Sequence, residues 1–332
     1  MPSDRTFVTE LATGLGMVGG EDLAAVIAQR PRVLVNLTEG DWKRLAGLWR
    51  SGSYESDFVA GFLNGRAFLA AEDAFNGRRP RIIEWTGGRR PPGDEVVPSD
   101  LRVDHVFLIS CKYLSRILHN PSPARLFEGL LTRAPIDDPS DWYQRVASVE
   151  LQELYEVCVQ VVEGMPFPSR VSDLVRDQRR QLANALRGGW PDDALTAYAR
   201  LCRVVSEATA QSWRAKISSR NAEAMVWRLL RIGSAPYFIL GTSPRGSMRL
   251  RIDTPWDWRQ AYRLRRLDIA PQEGGQPRVR WAAVYEVRRT SEERTVYGHV
   301  EIRWSHGRFG QPPEAKVYLD SVHQDVPGYH PL

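Results

Sequence analysis

The sequence predicts an α/β protein, in which a mixed sheet flanked by helices is combined with a helical insertion and a β-rich C-terminal part. Three observations support this class. Short apolar runs separated by turn residues lie at 81–113, between helical patterns. Residues 140–232 have helical periodicity almost throughout. After Pro236 the pattern changes to short β-rich runs.

The first half of the chain alternates between helices and strands. Its helical patterns lie at 5–30, 40–50, 55–75 and 123–133. The last of these has Ser122 as a plausible N-cap and Pro123 at its first position. Strand signals lie at 81–85 and in a hairpin, where "SDLRV" and "VFLISCKY" are joined by a turn at Asp104–His105. We therefore expect a sheet in this region, with helices before and after it.

The predicted organisation has three parts. Residues 1–138 hold the N-terminal helices and the first half of the core, 139–234 form a helical insertion, and 235–332 form the β-rich part. One α/β core with an insertion fits this order, and so do two domains divided near 140 or 235.

Composition excludes several classes of protein. The chain has 332 residues, of which 42% are apolar and 26% charged, which is ordinary for a folded protein. It contains no apolar stretch long enough to span a membrane and no N-terminal pattern of a signal peptide. The three cysteines are far apart in sequence and suggest neither a disulfide framework nor a metal site. We expect a soluble cytoplasmic protein without a membrane partner.

Positive charge is concentrated near the C-terminus. The chain has a net charge of +5 and a pI of about 9.2. Residues 245–308 contain 14 arginines against eight acidic residues, together with seven tryptophans and tyrosines. Arginines interleaved with aromatic residues suit contacts to phosphates and stacking on bases. A solvated sheet face in an arginine-rich protein would give the same composition.

The hairpin at 97–113 contains the most informative motif. The apolar run Val106–Ile109 ends in Ser110-Cys111-Lys112, although the chain has only four lysines against 41 arginines. Hydrolysis of a phosphodiester at neutral pH is commonly assisted by a divalent cation, which neutralises the phosphate and activates water. Mg²⁺ prefers carboxylate oxygens, and a neighbouring lysine can orient the water or stabilise developing charge. Carboxylates and a lysine converging from adjacent strands would supply these groups.

This arrangement resembles the PD-(D/E)XK nuclease superfamily, and in particular the type II restriction endonucleases that carry S-x-K with a migrated glutamate. Ser110 and Lys112 match the S-x-K, and Glu128 in the following helix matches the migrated glutamate. Pro98-Ser99-Asp100 is a loosened P-D element, and Glu55 resembles an N-terminal glutamate often found in these enzymes. The resemblance covers roughly 80 residues and implies a restriction-endonuclease-like mixed sheet.

The resemblance also implies roles for these residues. Asp100, Glu128 and Glu55 would hold Mg²⁺, and Lys112 would position or activate water. Ser110 would pack or form a hydrogen bond at the site and would not bind the metal directly. It further implies cleavage of double-stranded DNA by a homodimer, because cutting both strands requires two sites. A restriction or other defence role would follow.

The parity of the hairpin decides whether Asp100 faces Lys112. A two-residue turn at 104–105 would place Asp100 opposite Ile109, whereas a three-residue loop or a bulge would place it on the face of Lys112. Asp104 is therefore kept as a reserve ligand.

Other motifs give weaker signals. Glu314-Ala315-Lys316 is a literal E-x-K with Glu301 upstream, but it follows a loop and no helical pattern follows it. The histidines lack paired metal spacing, and neither a G-x-S-x-G elbow nor a Walker-type loop occurs. Two rivals to the nuclease interpretation remain. One is a nucleic-acid-binding protein with an inactive nuclease-like core, and the other is an interaction or scaffold protein.

Overall fold

The computed structural model describes residues 3–87, 99–113, 117–128, 141–162, 166–243, 246–272 and 274–332. The predicted mixed α/β class is confirmed: helices surround one mixed sheet and one antiparallel sheet. The chain divides into two compact units, each of which contains one of the sheets. Unit 1 comprises 1–115, 230–261 and 323–332, and unit 2 comprises 116–229 and 262–322.

The helices and strands are numbered along the chain. The helices are α1 (Asp4–Gly16), α2 (Leu23–Gln29), α3 (Glu39–Ser51), α4 (Glu55–Ala70), α5 (Pro123–Phe127), α6 (Trp142–Val146), α7 (Ser148–Gln160), α8 (Arg176–Ala185), α9 (Ala194–Lys216), α10 (Ala222–Leu230) and α11 (Pro255–Ala261). The strands are β1 (Leu34–Val35), β2 (Ile83–Trp85), β3 (Leu101–Val103), β4 (Phe107–Tyr113), β5 (Ile117–His119), β6 (Tyr237–Ser243), β7 (Gly246–Ile252), β8 (Tyr262–Gln272), β9 (Arg278–Val287), β10 (Glu292–Arg303), β11 (Glu314–Leu319) and β12 (Tyr329–Pro331).

Unit 1 is built on a seven-stranded mixed sheet with the order β1-β2-β3-β4-β6-β7-β12. The pairs β1–β2 and β4–β6 are parallel, and the other pairs are antiparallel. Residues of α1 and α4 pack in one apolar core with residues of this sheet. In that core the ring of Phe68 meets the ring of Phe238 edge-on, with 4.9 Å between the ring centroids.

Close packing of two helices fixes the position of α1 over this sheet. A Cβ atom on Gly65 of α4 would lie 2.0 Å from the carbonyl oxygen of Thr13 in α1. Only glycine allows the two backbones to approach so closely. The contact thereby also fixes the position of Glu10 in α1 relative to the sheet.

Unit 2 is built on a five-stranded antiparallel sheet with the order β5-β11-β10-β9-β8. Its helix α9 packs against β8 and β9. The indole of Trp142 donates a hydrogen bond to Thr209 Oγ1 (3.0 Å), and the Tyr143 hydroxyl donates to the carbonyl of Ile302 (2.6 Å). These contacts tie α6 to α9 and to the sheet.

Two features of the predicted organisation differ from the structure. The helix predicted at 5–30 is interrupted between α1 and α2, where Gly19 has φ +91° and Asp22 caps the second helix through the amides of Ala24 and Ala25. The expected boundaries at 138 and 234 also differ from the observed ones. The β-rich C-terminal part is divided, because β6, β7 and β12 join the sheet of unit 1, while β8 to β11 join the sheet of unit 2.

Most of the other predicted elements lie where the sequence places them. Ser122 caps α5 by accepting a hydrogen bond from the amide of Arg125 (3.3 Å). The predicted continuation of this helix over 129–133 lies outside the described residues, and so does Pro98 of the loosened P-D element.

Candidate active site

The hairpin of β3 and β4 has a three-residue loop. Leu101 pairs with Ile109 and Val103 with Phe107, so residues 104–106 form the loop. Both Asp104 (φ 49°) and His105 (φ 60°) adopt the left-handed conformation that closes it. Continuing this register places Asp100 opposite Ser110, on the side of the sheet that also carries Lys112.

The carboxylate of Asp100 contacts the S-x-K segment directly. Its Oδ2 atom accepts hydrogen bonds from Ser110 Oγ (3.2 Å) and from the backbone amide of Cys111 (2.6 Å). Burial raises the pKa of Asp100 above its ordinary value, and the positive charge of Lys112 and these two donors oppose that shift. Ser110 therefore holds the carboxylate in place by a hydrogen bond.

A second carboxylate, that of Glu10 in α1, interacts electrostatically with Asp100 and Lys112. Its side chain is buried (6% exposed), and Oε2 accepts a hydrogen bond from the indole nitrogen of Trp85 in β2 (2.7 Å). Burial and, to a smaller extent, the negative charge of Asp100 raise the pKa of Glu10 to about 8, against the opposing effects of the Trp85 hydrogen bond and the positive charge of Lys112. Glu10, Asp100 and Lys112 thus form one electrostatic unit.

Glu10 was not among the site residues predicted from the sequence. A signal was nevertheless present, since Glu10 is the one acidic residue in the stretch "FVTELATGLG" (7–16), all of which is buried. An ionisable side chain inside such a stretch is unusual unless it has a partner or a function.

Lys112 is placed by the parallel pairing of β4 with β6. It lies opposite Gly241, where a Cβ atom would be 2.1 Å from the carbonyl oxygen of Lys112 and 2.9 Å from its Cβ. Glycine at 241 thus lets β6 approach the backbone of the lysine. Within the described part of the chain, every carboxylate oxygen lies more than 4.0 Å from the ammonium group of Lys112. Lys112 therefore forms no ion pair with a described residue. Its charge nevertheless acts on both Glu10 and Asp100.

The reserve ligand Asp104 has a different role. Its Oδ1 atom accepts hydrogen bonds from the backbone amides of Arg81 (2.7 Å) and Ile82 (3.1 Å). Asp104 therefore ties the hairpin loop to the segment before β2. The site places Asp100, and not Asp104, beside Ser110.

The two other predicted ligands are not joined to this group by any described contact. Glu55 is exposed at the start of α4, and no described hydrogen bond or ion pair links its side chain to Asp100 or Lys112. Glu128 belongs to unit 2, where its carboxylate accepts hydrogen bonds from Arg145 (2.7 and 2.8 Å) and Lys216 (2.5 Å). Burial raises the pKa of Glu128, but these two cations outweigh it and leave the pKa below its ordinary value.

The alternative E-x-K segment is occupied by ion pairs. Glu301 lies opposite Lys316 in the β10–β11 pairing, but its carboxylate binds Arg278 (2.5 Å). Glu314 accepts a hydrogen bond from Lys316. The carboxylates of this segment are thus already paired with cations within unit 2.

Several arginines of the segment 245–308 are also neutralised by ion pairs with acidic residues. Arg265 pairs with Glu286, Arg266 with Asp268 (2.8 Å), and Arg294 with Glu292 (2.8 Å). Exposed Arg263 and Arg280 form no ion pair with another described residue. The charge that remains for a polyanionic partner is therefore smaller than the composition suggests.

The acidic side chains at the site are of the type that Mg²⁺ prefers as ligands. No group of three or more His, Cys, Asp or Glu side chains arranged for a metal occurs among the described residues. Mg²⁺, however, is commonly held by one or two carboxylates, with water and substrate phosphate completing its shell. Glu10 and Asp100 provide two carboxylates whose mutual repulsion a bound cation would relieve.

Comparison of the chain with protein-family models, curated proteins and solved structures finds no match. No helix in the described ranges is both long and apolar enough to cross a membrane. The geometry of the site is therefore the basis for assigning a function.

Proposed function

We propose that this protein is a Mg²⁺-dependent DNA endonuclease with a restriction-endonuclease-like core. The observation that carries the proposal is the three-residue loop of the β3–β4 hairpin, which brings Asp100 to Ser110 on the strand of Lys112. The order of helix α4, strand β2 and hairpin β3–β4 agrees with the core that the resemblance requires. A defence role against foreign DNA and a cytoplasmic location belong to the same proposal.

Each residue of the site has a role in this proposal. Asp100 and Glu10 would hold the cation, and Ser110 and the Cys111 amide fix the orientation of the Asp100 carboxylate. The bound Mg²⁺ supplies charge neutralisation at the phosphate and a more acidic water molecule. The ammonium group of Lys112 orients the attacking water or stabilises the charge that develops on the phosphate. In this assignment Glu10 takes the role of metal ligand that was predicted for Glu55 and Glu128.

A second candidate is a nucleic-acid-binding protein whose nuclease-like core is inactive. The observation that favours it is that the carboxylate of Glu128 already forms ion pairs with Arg145 and Lys216. If the reaction depends on a migrated glutamate, that carboxylate is not available.

Cleavage of supercoiled plasmid and genomic DNA tests the two candidates. The wild type is incubated with Mg²⁺, Ca²⁺ or EDTA, and Lys112→Ala is compared with Lys43→Ala, which removes an exposed lysine of α3. We expect nicking with Mg²⁺ alone, a rate at least about 100-fold lower for Lys112→Ala, and an unchanged rate for Lys43→Ala. Equal cutting by the Lys112 variant would overturn the catalytic assignment. DNA binding without cleavage of any DNA tested would favour the second candidate.

A further inference from the structure

The outward face of α4 carries an apolar patch. Val59 and Leu63 are 44% and 48% exposed, although both are large aliphatic side chains. They lie one helical turn apart, and Ala70 extends the same exposed face. Single exposed apolar residues are ordinary on protein surfaces, whereas here two of them stand side by side on one helix face.

The patch is flanked by opposite charges. Glu55 lies on its N-terminal side and Arg66 on its C-terminal side, along the same edge of the helix. Neither side chain forms an ion pair or a side-chain hydrogen bond with another residue that the structure describes. The face therefore has an acidic end, an apolar centre and a basic end.

This order is self-complementary in an antiparallel arrangement. If a two-fold axis passes the helix near Gly61, Val59 of one copy meets Leu63 of the other. Along the helix, Glu55 of one copy then lies about 9 Å from the two-fold axis. Arg66 of the second copy lies about 7.5 Å from the axis in the same direction, so the two side chains are neighbours. Both ends of such a helix pair would be joined by an ion pair.

We propose that the exposed face of α4, comprising Glu55, Val59, Leu63 and Arg66, is a homodimer interface in which two copies of this helix pack antiparallel. The order of the charges favours a second copy of the chain as the partner, because in an isologous contact the same surface of both copies must be complementary to itself. One helix pair is a small contact compared with the roughly 1,600 Å² of a standard interface. The dimer is therefore weak in free solution and is favoured where two copies bind one DNA molecule.

The inference deepens the proposed function, since two active sites are needed to cut both strands of a duplex. It also gives Glu55 a role other than metal ligation. The dimer is tested without DNA or metal, so its failure and the failure of the nuclease assignment are distinguishable.

Sedimentation equilibrium of the full chain over a wide concentration range tests the interface. The variants are Glu55→Arg, Arg66→Glu, the double exchange Glu55→Arg/Arg66→Glu, and Leu63→Glu. Each single reversal sets like charges against each other at both ends of the helix pair, and we expect dimer dissociation constants about tenfold higher. The double exchange restores both pairs with reversed polarity and should return the constant to the wild-type value. Leu63→Glu should abolish the dimer.

Two controls complete the design. Circular dichroism checks that every variant keeps its helices, which is expected because all four side chains are exposed or lie at the helix end. Lys112→Ala should dimerise like the wild type. A wild type that remains monomeric at the highest concentration, or a dimer that none of the α4 variants weakens, would overturn the proposal. Weakening by the single reversals without recovery in the double exchange would also overturn the antiparallel arrangement.

Discussion

Asp100 shows how a difference of one residue in the length of a loop decides which side chains a strand places together. With a two-residue loop its side chain would lie opposite Ile109 and away from Lys112, whereas the observed loop of 104–106 places it beside Ser110. The sequence did not decide between a two-residue and a three-residue loop, because neither Asp104 nor His105 is the glycine that would mark a turn type. In the structure both residues nevertheless adopt positive φ angles.

The partners of Glu10 could not be predicted from the sequence, for a different reason. Its partners Trp85 and Asp100 lie 75 and 90 residues further along the chain. No local spacing connects them, and only the packing of α1 onto the sheet brings them together. Lys112 and Ser110, by contrast, were identified from the motif itself.

The raised pKa of Glu10 predicts how stability depends on pH. Because the folded carboxyl titrates at about 8 instead of 4.5, the folded state binds more protons than the unfolded state between these values. The contribution of this group to stability is thus present below pH 4.5 and is lost as pH rises through 8. In EDTA, the stability of the wild type relative to Glu10→Gln should fall by at least about 1 kcal/mol between pH 5 and pH 9.

Urea unfolding of the two proteins at each pH measures this difference. Glutamine keeps the size of the side chain and an oxygen that accepts the Trp85 hydrogen bond, so the comparison isolates the ionisation. Parallel pH profiles for wild type and Glu10→Gln would show that Glu10 titrates normally.

At the scale of elements, hydrophobic periodicity predicted most helices and strands of the described residues. It failed where the pattern is interrupted. The helix expected at 5–30 breaks after α1 because the segment around Gly19 turns the chain. Strand β8 was not predicted because consecutive arginines, Arg265 and Arg266, and a register shift between Leu264 and Arg266 disturb its alternation.

The contact of α1 with α4 gives a prediction at this scale. In Gly65→Ala the new Cβ would lie 2.0 Å from the carbonyl oxygen of Thr13, so the two helices must separate. We expect a loss of about 2–4 kcal/mol of unfolding free energy and a displacement of Glu10 from the site.

Gly47→Ala in α3 is the matched control for this experiment. A Cβ atom there meets no other atom within 4 Å, and alanine favours the helix by roughly 0.5–1 kcal/mol. Thermal or urea unfolding of both variants measures the contrast. If Gly65→Ala is as stable as Gly47→Ala, the close packing of α1 on α4 is not as described.

At the scale of the whole molecule, domain boundaries could not be predicted from the chain alone. Sequence patterns show where the chain changes between mixed, helical and β-rich segments, near 140 and 235. Unit 1, however, is formed by three segments that are separated in the sequence. Which strands share a sheet depends on long-range pairing, such as β4 with β6, and not on the order of patterns.

Charge pairing gives a prediction for DNA binding. Because several arginines of 245–308 are neutralised by internal ion pairs, the salt dependence of affinity should be weaker than 14 free arginines would give. Arg263→Ala/Arg280→Ala removes two exposed arginines and should lower the salt slope by about 2. Fluorescence anisotropy with duplex DNA at several salt concentrations measures it.

The control for this experiment is Glu292→Ala/Arg294→Ala, which removes an exposed ion pair without changing the net charge. This double variant should show the same dependence of DNA affinity on salt concentration as the wild type. If affinity does not depend on salt in any of these proteins, the charged surface does not bind nucleic acid, which would favour the scaffold interpretation.

The central claim is that Glu10 and Asp100 form one cation site beside Lys112. Calorimetric titration with Mg²⁺ tests it most directly, since this measurement does not require the target DNA sequence to be known. The account predicts saturable binding by the wild type and by Glu55→Gln, with affinity at least about tenfold lower for Glu10→Gln and for Asp100→Asn. Equal Mg²⁺ binding by all four proteins, or loss of binding in Glu55→Gln alone, would contradict it.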